Sequence, residues 1–362
     1  MLSWMRTAKP YRNPVFQIFD VIWHKLKINT HPSDYYRFEF YRRDKSWEEK
    51  RRYIGYLGSY YWPYESILLK DQIVLSNKYI NKHILLGMGL PTPELLTTVG
   101  KEYDVRSCED LKNSLGPWNF DIVIKPISST GGTNVIVLIW KNGRFQDSKG
   151  GVWTAELIWE RLIPHLETGC LIERRVFNVG QTHKIYSSAL NTFRVATIRT
   201  NDGNLHVSDY YMRIGCGGSH VDNIHSGGIQ VFLDDKGVAT QAFEDNCSRS
   251  ITHHPDTGLP LTGFQADGFE QSIALARRAS QKFPMLGTIG WDIAFTDQGP
   301  VIIEGNTLWF AEHQRVTGPI ITEELAKGLK KWNAFSRYPK DRIFPRLQKI
   351  SRWPWRRTRW WA

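Results

Sequence analysis

One stretch constrains this chain more than any other: residues 290–306, GWDIAFTDQGPVIIEGN. Trp291 to Phe295 is apolar around a single acid, Asp297-Gln298-Gly299-Pro300 is turn chemistry, and Val301-Ile302-Ile303 is a β-branched run. That order predicts a β-hairpin. Asp292 falls early in the first strand while Glu304 and Asn306 close the second, so antiparallel pairing sets them side by side. Glu304 and Asn306 are two apart and leave the same face of their strand. Three oxygen-bearing side chains are therefore expected to converge on rigid strands. Hard oxygen ligands that leave positions open suit Mg²⁺, which takes one or two carboxylates together with phosphate oxygens. An arbitrary Asp with Glu-x-Asn is more often a hairpin with its polar ends in water; the residues upstream reverse that preference.

The first of these is DIVIKPISSTGGTN. Lys125 ends a strand, Pro126 stops its ladder, and small residues cross to the next strand, VIVLIW. Gly131 and Gly132 permit positive φ and close backbone approach, while Ser128, Ser129 and Thr130 add hydroxyls to a run of N–H groups. Such a loop can fold over phosphate oxygens, with Lys125 as a point charge; a plain Gly-rich turn is the alternative. No Gly-Lys-Ser/Thr precedes a helix, so the P-loop pattern is excluded. Glu173, in LIERRV, lies in a strand about fifty residues further on, where a hinge between lobes could offer backbone groups to a base. Arg194, in NTFRVATIR, sits in a strand among apolar neighbours, so it points into a cleft and needs an anion, or else forms a structural ion pair.

The remaining pattern is mixed. A helix is expected at SNKYINKHILLGMG with Ser76 as N-cap, and another at 107–115 capped by Ser107 with Asp110 three residues on. Strands are expected at 95–99, 121–125, 135–140 and 170–176, with a helix near 155–164. Antiparallel strands follow from Leu190 onward, and helices at 269–283 and 319–332. Strands and helices in this mixture argue an α+β or α/β fold. The organisation expected is an aromatic and charged N-terminal extension (1–75, helical in part from Trp47 to Leu57), a short α/β region (76–120), a central lobe (121–185), a C-terminal lobe (186–325) and a basic tail (326–362). The tail holds twelve Lys/Arg against Asp341 alone, which accounts for the whole net charge of +11 and leaves the body neutral.

Lys78, Lys125, the SSTGGTN loop, Glu173, Arg194 and Asp292…Glu304-x-Asn306 occur here in one order, and that order resembles the ATP-grasp superfamily. Within it, SALNTFRVATIRT, YYMRIGCGGSHVDNIHSGGI and the hairpin segment are similar to the sugar-transfer-associated branch, related to α-L-glutamate ligases. The resemblance covers roughly residues 75–320. It implies an α+β ATP-grasp fold, two lobes enclosing a nucleotide cleft. It also implies roles: Lys78 and Lys125 on phosphate, Ser128, Ser129, Thr130, Gly131 and Gly132 as a lid over the phosphates, and Glu173 at the hinge beside adenine. Arg194 would steady the transferred phosphoryl group, and Asp292, Glu304 and Asn306 would ligate magnesium. The hinge LIERRV departs from the usual Glu-x-x-Ile/Val with a second acid, which leaves the ribose contact to Gln181 or His183. The implied activity is a Mg-ATP-dependent carboxylate–amine ligase working through an acyl phosphate in cell-surface polysaccharide or glycan-precursor synthesis. An ATP-dependent phosphotransferase on a hydroxyl and a non-catalytic ATP-binding scaffold are the alternatives. The implied partners are ATP and a small carboxylate or amino-sugar-type acceptor.

The expected substrate loop is SHVDNIHSGGI, with Asp222, Asn223 and His225 polar and Gly227-Gly228 allowing backbone approach; Asp222 or His225 is the candidate base for an incoming amine. A turn-rich loop is the equal alternative. His253-His254 lacks a third ligand in sequence, and Cys108, Cys170, Cys216 and Cys247 form no CxxC pair, so neither zinc nor a disulfide framework is indicated. The N-terminal residues lack an uninterrupted apolar signal, and no run reaches the ~18 apolar residues of a membrane span. A cytoplasmic protein is expected. The Arg/Trp-interleaved end, SRWPWRRTRWWA, suits an anionic membrane surface at the inner face, ahead of a solvated end and well ahead of nucleic acid.

Overall fold

The structure is a computed structural model that describes residues 14–28, 30–55, 71–129, 132–244, 249–307, 309 and 314–329. The expectations for the tail beyond residue 329, for Thr130 and Gly131, for Cys247 and for the His225 side chain lie outside the described residues. Two compact units are present: residues 1–62 with 311–362, and residues 63–310.

The first unit opens with helices α1 (Pro14–Ile28), α2 (Pro32–Arg37) and α3 (Trp47–Lys50). Its core is aromatic: Tyr35, Tyr36, Phe38, Phe40 and Tyr53 pack with Val21. The helix expected over Trp47 to Leu57 is a single turn, capped by Ser46, whose hydroxyl accepts from the Glu49 N–H at 3.0 Å.

The second unit carries the site. Helices α4 (Ile73–Ser76) and α5 (Lys78–Gly87) precede strand β1 (Leu95–Val99), helix α6 (Cys108–Leu115) and strands β2 (Ile122–Pro126), β3 (Ile136–Lys141), β4 (Arg144–Gln146) and β5 (Val152–Trp153). Helix α7 (Ala155–Leu162) and strand β6 (Cys170–Arg174) complete a sheet in the order β1-β6-β2-β3-β4-β5. Ser107 and Asp110 form the expected capping box at α6. The cap of α5 is Asn77, whose side chain accepts from the Ile80 N–H at 3.0 Å, because Ser76 belongs to the preceding turn.

Helix α8 (Gly180–Ile185) leads into strands β7 (Thr192–Arg199), β8 (Leu205–Ile214), β9 (Ile229–Leu233), β10 (Ala239–Glu244) and β11 (Arg249–Ile251), then α9 (Phe269–Gln281) and the hairpin β12 (Thr288–Thr296) and β13 (Gly299–Asn306). The second sheet runs β11-β10-β9-β8-β7-β12-β13, antiparallel throughout. The predicted hairpin is present, with one addition. A bulge between Asp292 and Ile293 sets Asp292 opposite Glu304 but Ile293 opposite Ile302, leaving Ile303 unpaired. Helices α10 (Gln314–Thr317) and α11 (Glu323–Gly328) return to the first unit, and α11 is shorter than the 319–332 expected. Among the described residues, no helix is long and apolar enough to cross a membrane.

Candidate active site

Strand alternation decides which side chains meet in the cleft. Along β2 and β6, Ile122, Ile124, Cys170 and Ile172 turn into one core, so Val123, Lys125, Leu171 and Glu173 face the other way. In the second sheet, Phe193, Val195, Met212, Ile214, Trp291 and Ile293 fill the larger core. Their neighbours Thr192, Arg213 and Asp292 are left to line the same cavity as Lys125 and Glu173. The cavity lining mixes apolar side chains, Val123, Val137 and Leu171, with charged ones: across β2 and β6, Val123 stands opposite Glu173 and Leu171 opposite Lys125.

Three lysines and one acid occupy the first wall. Glu173 is buried and contacts Lys82 Nζ at 2.5 Å and Lys125 Nζ at 2.6 Å. Burial pushes its carboxyl up, but Lys125 and Lys82 outweigh that and hold it below the ordinary range. Lys82 also donates to Thr92 Oγ1 at 2.7 Å and to the Pro93 carbonyl at 2.8 Å. Lys78 stands one turn earlier on α5 and donates to the Ser129 carbonyl. Burial lowers the pKa of both Lys78 and Lys82.

The opposite wall is a row of cross-strand partners. Arg194 pairs with Asp292 between β7 and β12, and Asp292 pairs with Glu304 between β12 and β13. Arg194 grips Asp292 with Nε to Oδ1 at 2.5 Å and Nη2 to Oδ2 at 3.2 Å. Arg213 Nη2 reaches Asp292 Oδ2 at 2.9 Å, Thr192 Oγ1 at 2.8 Å and Asp222 Oδ1 at 3.4 Å. Thr192 donates in turn to Asp222. Burial would raise Asp292, but Arg194 and Arg213 prevail and hold it low. Asp222 goes the other way: burial, against the pull of Arg213, leaves its carboxyl pushed up to about 6. Asn306 Nδ2 donates to Asp292 Oδ2 at 3.3 Å and to Glu304 Oε1 at 3.2 Å.

With this geometry in place, comparison with known families is decisive on one point: a model of the family described as sugar-transfer associated ATP-grasp matches residues 54–328. The chain belongs to that family. A search of curated proteins returned no match. Among solved structures, an ADP complex of N5-carboxyaminoimidazole ribonucleotide synthetase is similar at 15% identity and a TM-score of 0.40, over 67% of this chain and 47% of that one. The D-alanine–D-alanine ligase of Bacillus anthracis is similar at 16% identity and TM-score 0.35, over 65% and 57%. That of Coxiella burnetii is similar at 11% and 0.41, over 78% and 64%. The chain thus spans about half the length of the solved relatives that it matches first.

In this ATP-grasp chain the residues singled out from sequence are mostly brought together. Lys78, Lys125, Ser129, Gly132, Glu173, Asp222, Asn223, Asp292 and Glu304 line one cavity, and Arg194 and Asn306 touch it through Asp292. Ser128 is exposed and does not line it. Three placements differ from expectation. The hinge residue Glu173 presents its carboxylate rather than its backbone, which is paired to β1 and β2. A buried carboxylate requires cations, and Lys82 and Lys125 supply them. Gln181 and His183 lie on α8 away from the cavity, whose lining there is Arg174, Arg175 and Val176. Gly228 admits a close approach to the chain itself: a Cβ there would stand 2.2 Å from the Asp222 carbonyl. Lys82, Thr192 and Arg213 were missed. Lys82 is four residues after Lys78 on the same helical face, and Arg213 sits among apolar strand neighbours as Arg194 does; both signals were available.

The residues fit a divalent cation, with a division of labour among them. Two carboxylates, Asp292 and Glu304, face each other on adjacent strands, an arrangement that needs positive charge nearby. Both oxygens of Asp292 are engaged by arginine. Glu304 accepts from Asn306 and lies within hydrogen-bond reach of Asp292, but no arginine grips it as Arg194 grips Asp292, so it is the carboxylate with more lone pairs to give. Asn306 would present its amide oxygen after rotation of the amide, an orientation assigned from the hydrogen-bond network. Mg²⁺ asks for no more than one or two carboxylates beside phosphate oxygens.

A second cluster was hidden by sequence spacing. Cys216, His254 and Asp256 offer ligand atoms within 4.8 Å of one another. Yet His254 Nδ1 accepts the Asp256 N–H at 3.2 Å and Nε2 donates to the Gly215 carbonyl at 2.8 Å, so both ring nitrogens are spent on backbone. Burial, then Asp256, raises the Cys216 thiol. The ring stacks on Tyr186, whose hydroxyl donates to the Ser219 carbonyl at 3.3 Å. This cluster braces the start of the loop whose far end, His220 to Asn223, lines the cavity.

Proposed function

We propose that this protein is a Mg-ATP-dependent carboxylate–amine ligase acting in cell-surface polysaccharide or glycan-precursor synthesis. The observation that carries the reading is one cavity that combines apolar side chains with a concentration of charge. Its charged groups include Lys78, Lys82 and Lys125 on one wall, and Arg213, Asp292 and Glu304 on the other. A nucleotide combines the same two characters, a flat base and a polyanion. Val123, Val137 and Leu171 would sandwich the base, and Lys78, Lys125 and Arg213 would neutralise phosphate oxygens. Glu304 and Asn306, together with Asp292, would hold magnesium, which would supply charge neutralisation to the phosphates. Phosphoryl transfer requires position and charge more than a side-chain nucleophile, which suits a cavity with three lysines and an arginine.

In the first step a carboxylate oxygen attacks the γ-phosphorus and ADP leaves, giving an acyl phosphate. In the second an amine attacks the acyl carbon, phosphate leaves and the amine loses a proton. Asp222 lines the cavity with its carboxyl near neutrality, and it would take that proton. The glycan setting rests on the family's description as sugar-transfer associated.

The test is incubation with Mg-ATP and a panel of carboxylates, amino acids and amino sugars, with hydroxylamine as trap. A hydroxamate together with ADP is the expected result and identifies the carboxylate. ADP with a phosphorylated acceptor and no hydroxamate would replace the ligase by a phosphotransferase, and tight ATP binding without turnover would leave a scaffold.

A further inference from the structure

Helix α1 is built inside out. Its buried positions are Gln17, Val21 and His24, and its one acid, Asp20, turns toward the protein to accept from the Tyr35 hydroxyl at 2.7 Å. His24 is packed among Tyr35, Phe40 and Trp47, with ring centroids 5.2–5.6 Å apart. The large apolar side chains point out. Val15, Phe16, Ile18, Phe19, Ile22, Trp23 and Leu26 are all exposed, with Phe16 and Phe19 each at 66% and Leu26 at 69%. An ordinary surface helix does the reverse.

On a wheel at roughly 100° per residue these side chains fill an arc about 160° wide. Lys25 flanks that arc on one side and Lys27 on the other, both exposed. The Lys27 ammonium lies 4.7 Å from the centroid of the Trp23 ring. An apolar face holding Trp and Phe with lysines along both borders matches the chemistry of a lipid interface, where rings sit at headgroup level and lysines reach the phosphates. The first turn has no acid, and the residues before the helix add Arg6, Lys9 and Arg12, again without an acid. A second copy of the chain would bring these like charges together, so a self-interface is disfavoured by the same charges that favour an anionic one. The helix is 15 residues long, about 22 Å at the α-helical rise, too short to span a bilayer and suited to lying in its plane.

We propose that α1 is an in-plane anchor that docks this protein on an anionic lipid surface. The anchor needs neither the nucleotide cavity nor the basic tail, so it stands or falls independently of the ligase reading. It is tested with the full chain by flotation with phosphatidylcholine vesicles with and without phosphatidylglycerol. Wild type is expected to float with the anionic vesicles. The triple variant Phe16→Gln, Phe19→Gln, Trp23→Gln, with an unchanged melting temperature because these side chains are exposed, is expected to bind at least tenfold more weakly. Lys25→Gln with Lys27→Gln should weaken binding to anionic vesicles and leave neutral ones unaffected. The proposal is overturned if wild type ignores both vesicles or if the triple variant floats like wild type. It is equally overturned if the face proves to hold a dimer, seen by sedimentation, that the triple variant dissolves while no vesicle binding occurs.

Discussion

Arg194 and Asp292 face each other directly across β7 and β12, and the guanidinium holds both oxygens of the carboxylate, at 2.5 and 3.2 Å. Asp292 is therefore as much the counter-ion of two buried arginines as a prospective metal ligand. This separates its expected behaviour from that of Glu304, which stands opposite it, feels Lys78 and Arg213 only through space, and forms no ion pair among the described residues.

Asp292→Asn should lower stability by about 3–5 kcal/mol, because it leaves Arg194 and Arg213 buried without their shared anion. Glu304→Gln should hardly move the melting temperature while reducing Mg²⁺-dependent ATP turnover about a hundredfold or more. Thermal unfolding of the two variants beside turnover across a magnesium titration checks the division. Equal losses of stability would show that both acids are structural.

The two lysines on Glu173 should also part company. Lys82 is almost fully buried and spends its protons on Glu173, Thr92 and Pro93, whereas Lys125 retains some exposure to the cavity. Lys82→Met is expected to cost about 2–3 kcal/mol of stability, less than an isolated buried charge would because Lys125 still pairs with Glu173. Lys125→Met is expected to raise the dissociation constant for ATP about tenfold, the loss of one charge-assisted hydrogen bond. Calorimetric titration with ATP and a melting curve on each variant distinguish them; an unaltered ATP affinity in Lys125→Met removes that lysine from the phosphate site.

Much of this was legible in the chain. Strand alternation placed Asp292, Glu304, Arg194 and Lys125 off the core faces, and period-two arithmetic needs only local sequence. What escaped notice depended on partners distant in sequence. Glu173 reads as a hinge residue until Lys82, on a helix 91 residues earlier, is found against it. Cys216 meets His254 and Asp256, themselves two residues apart, only because the chain after β8 and the loop after β11 come together, a pairing no spacing rule reports. The inverted face of α1 is amphipathic in sequence either way; only packing tells which side is covered.

Gly228 tests the loop that carries Asp222. A Cβ at this position would meet the Asp222 carbonyl at 2.2 Å and the Asn223 carbonyl at 2.8 Å, both backbone atoms that no rotamer change can move aside. Gly228→Ala should displace residues 222–223 and cut turnover about tenfold or more, as misplacement of a positioned group does. Gly116→Ala is the control: it sits in a right-handed helical conformation with its nearest neighbour at an ordinary 3.5 Å, and should be neutral or slightly stabilising. Turnover of Gly228→Ala equal to that of the control would show that the loop position does not matter.

Asp222 gives the pH dependence its direction. Burial raises its carboxyl to about 6 in the folded protein, above the ordinary carboxylic value. The protonated form is thus favoured by folding, and that contribution to stability is complete at low pH and lost as pH rises through about 6. As a base, the group works only once ionised, so turnover should climb as pH rises through the same region. Asp222→Asn removes the charge but keeps the shape. It should abolish the limb near 6 and lower turnover about a hundredfold. It should also melt no lower than wild type at pH 8, with any gain shrinking as pH falls below the wild-type pKa. A limb that persists unchanged in Asp222→Asn assigns the titration to another group, and a variant that is much less stable at pH 8 would mean that the charge pairing with Arg213 outweighs burial.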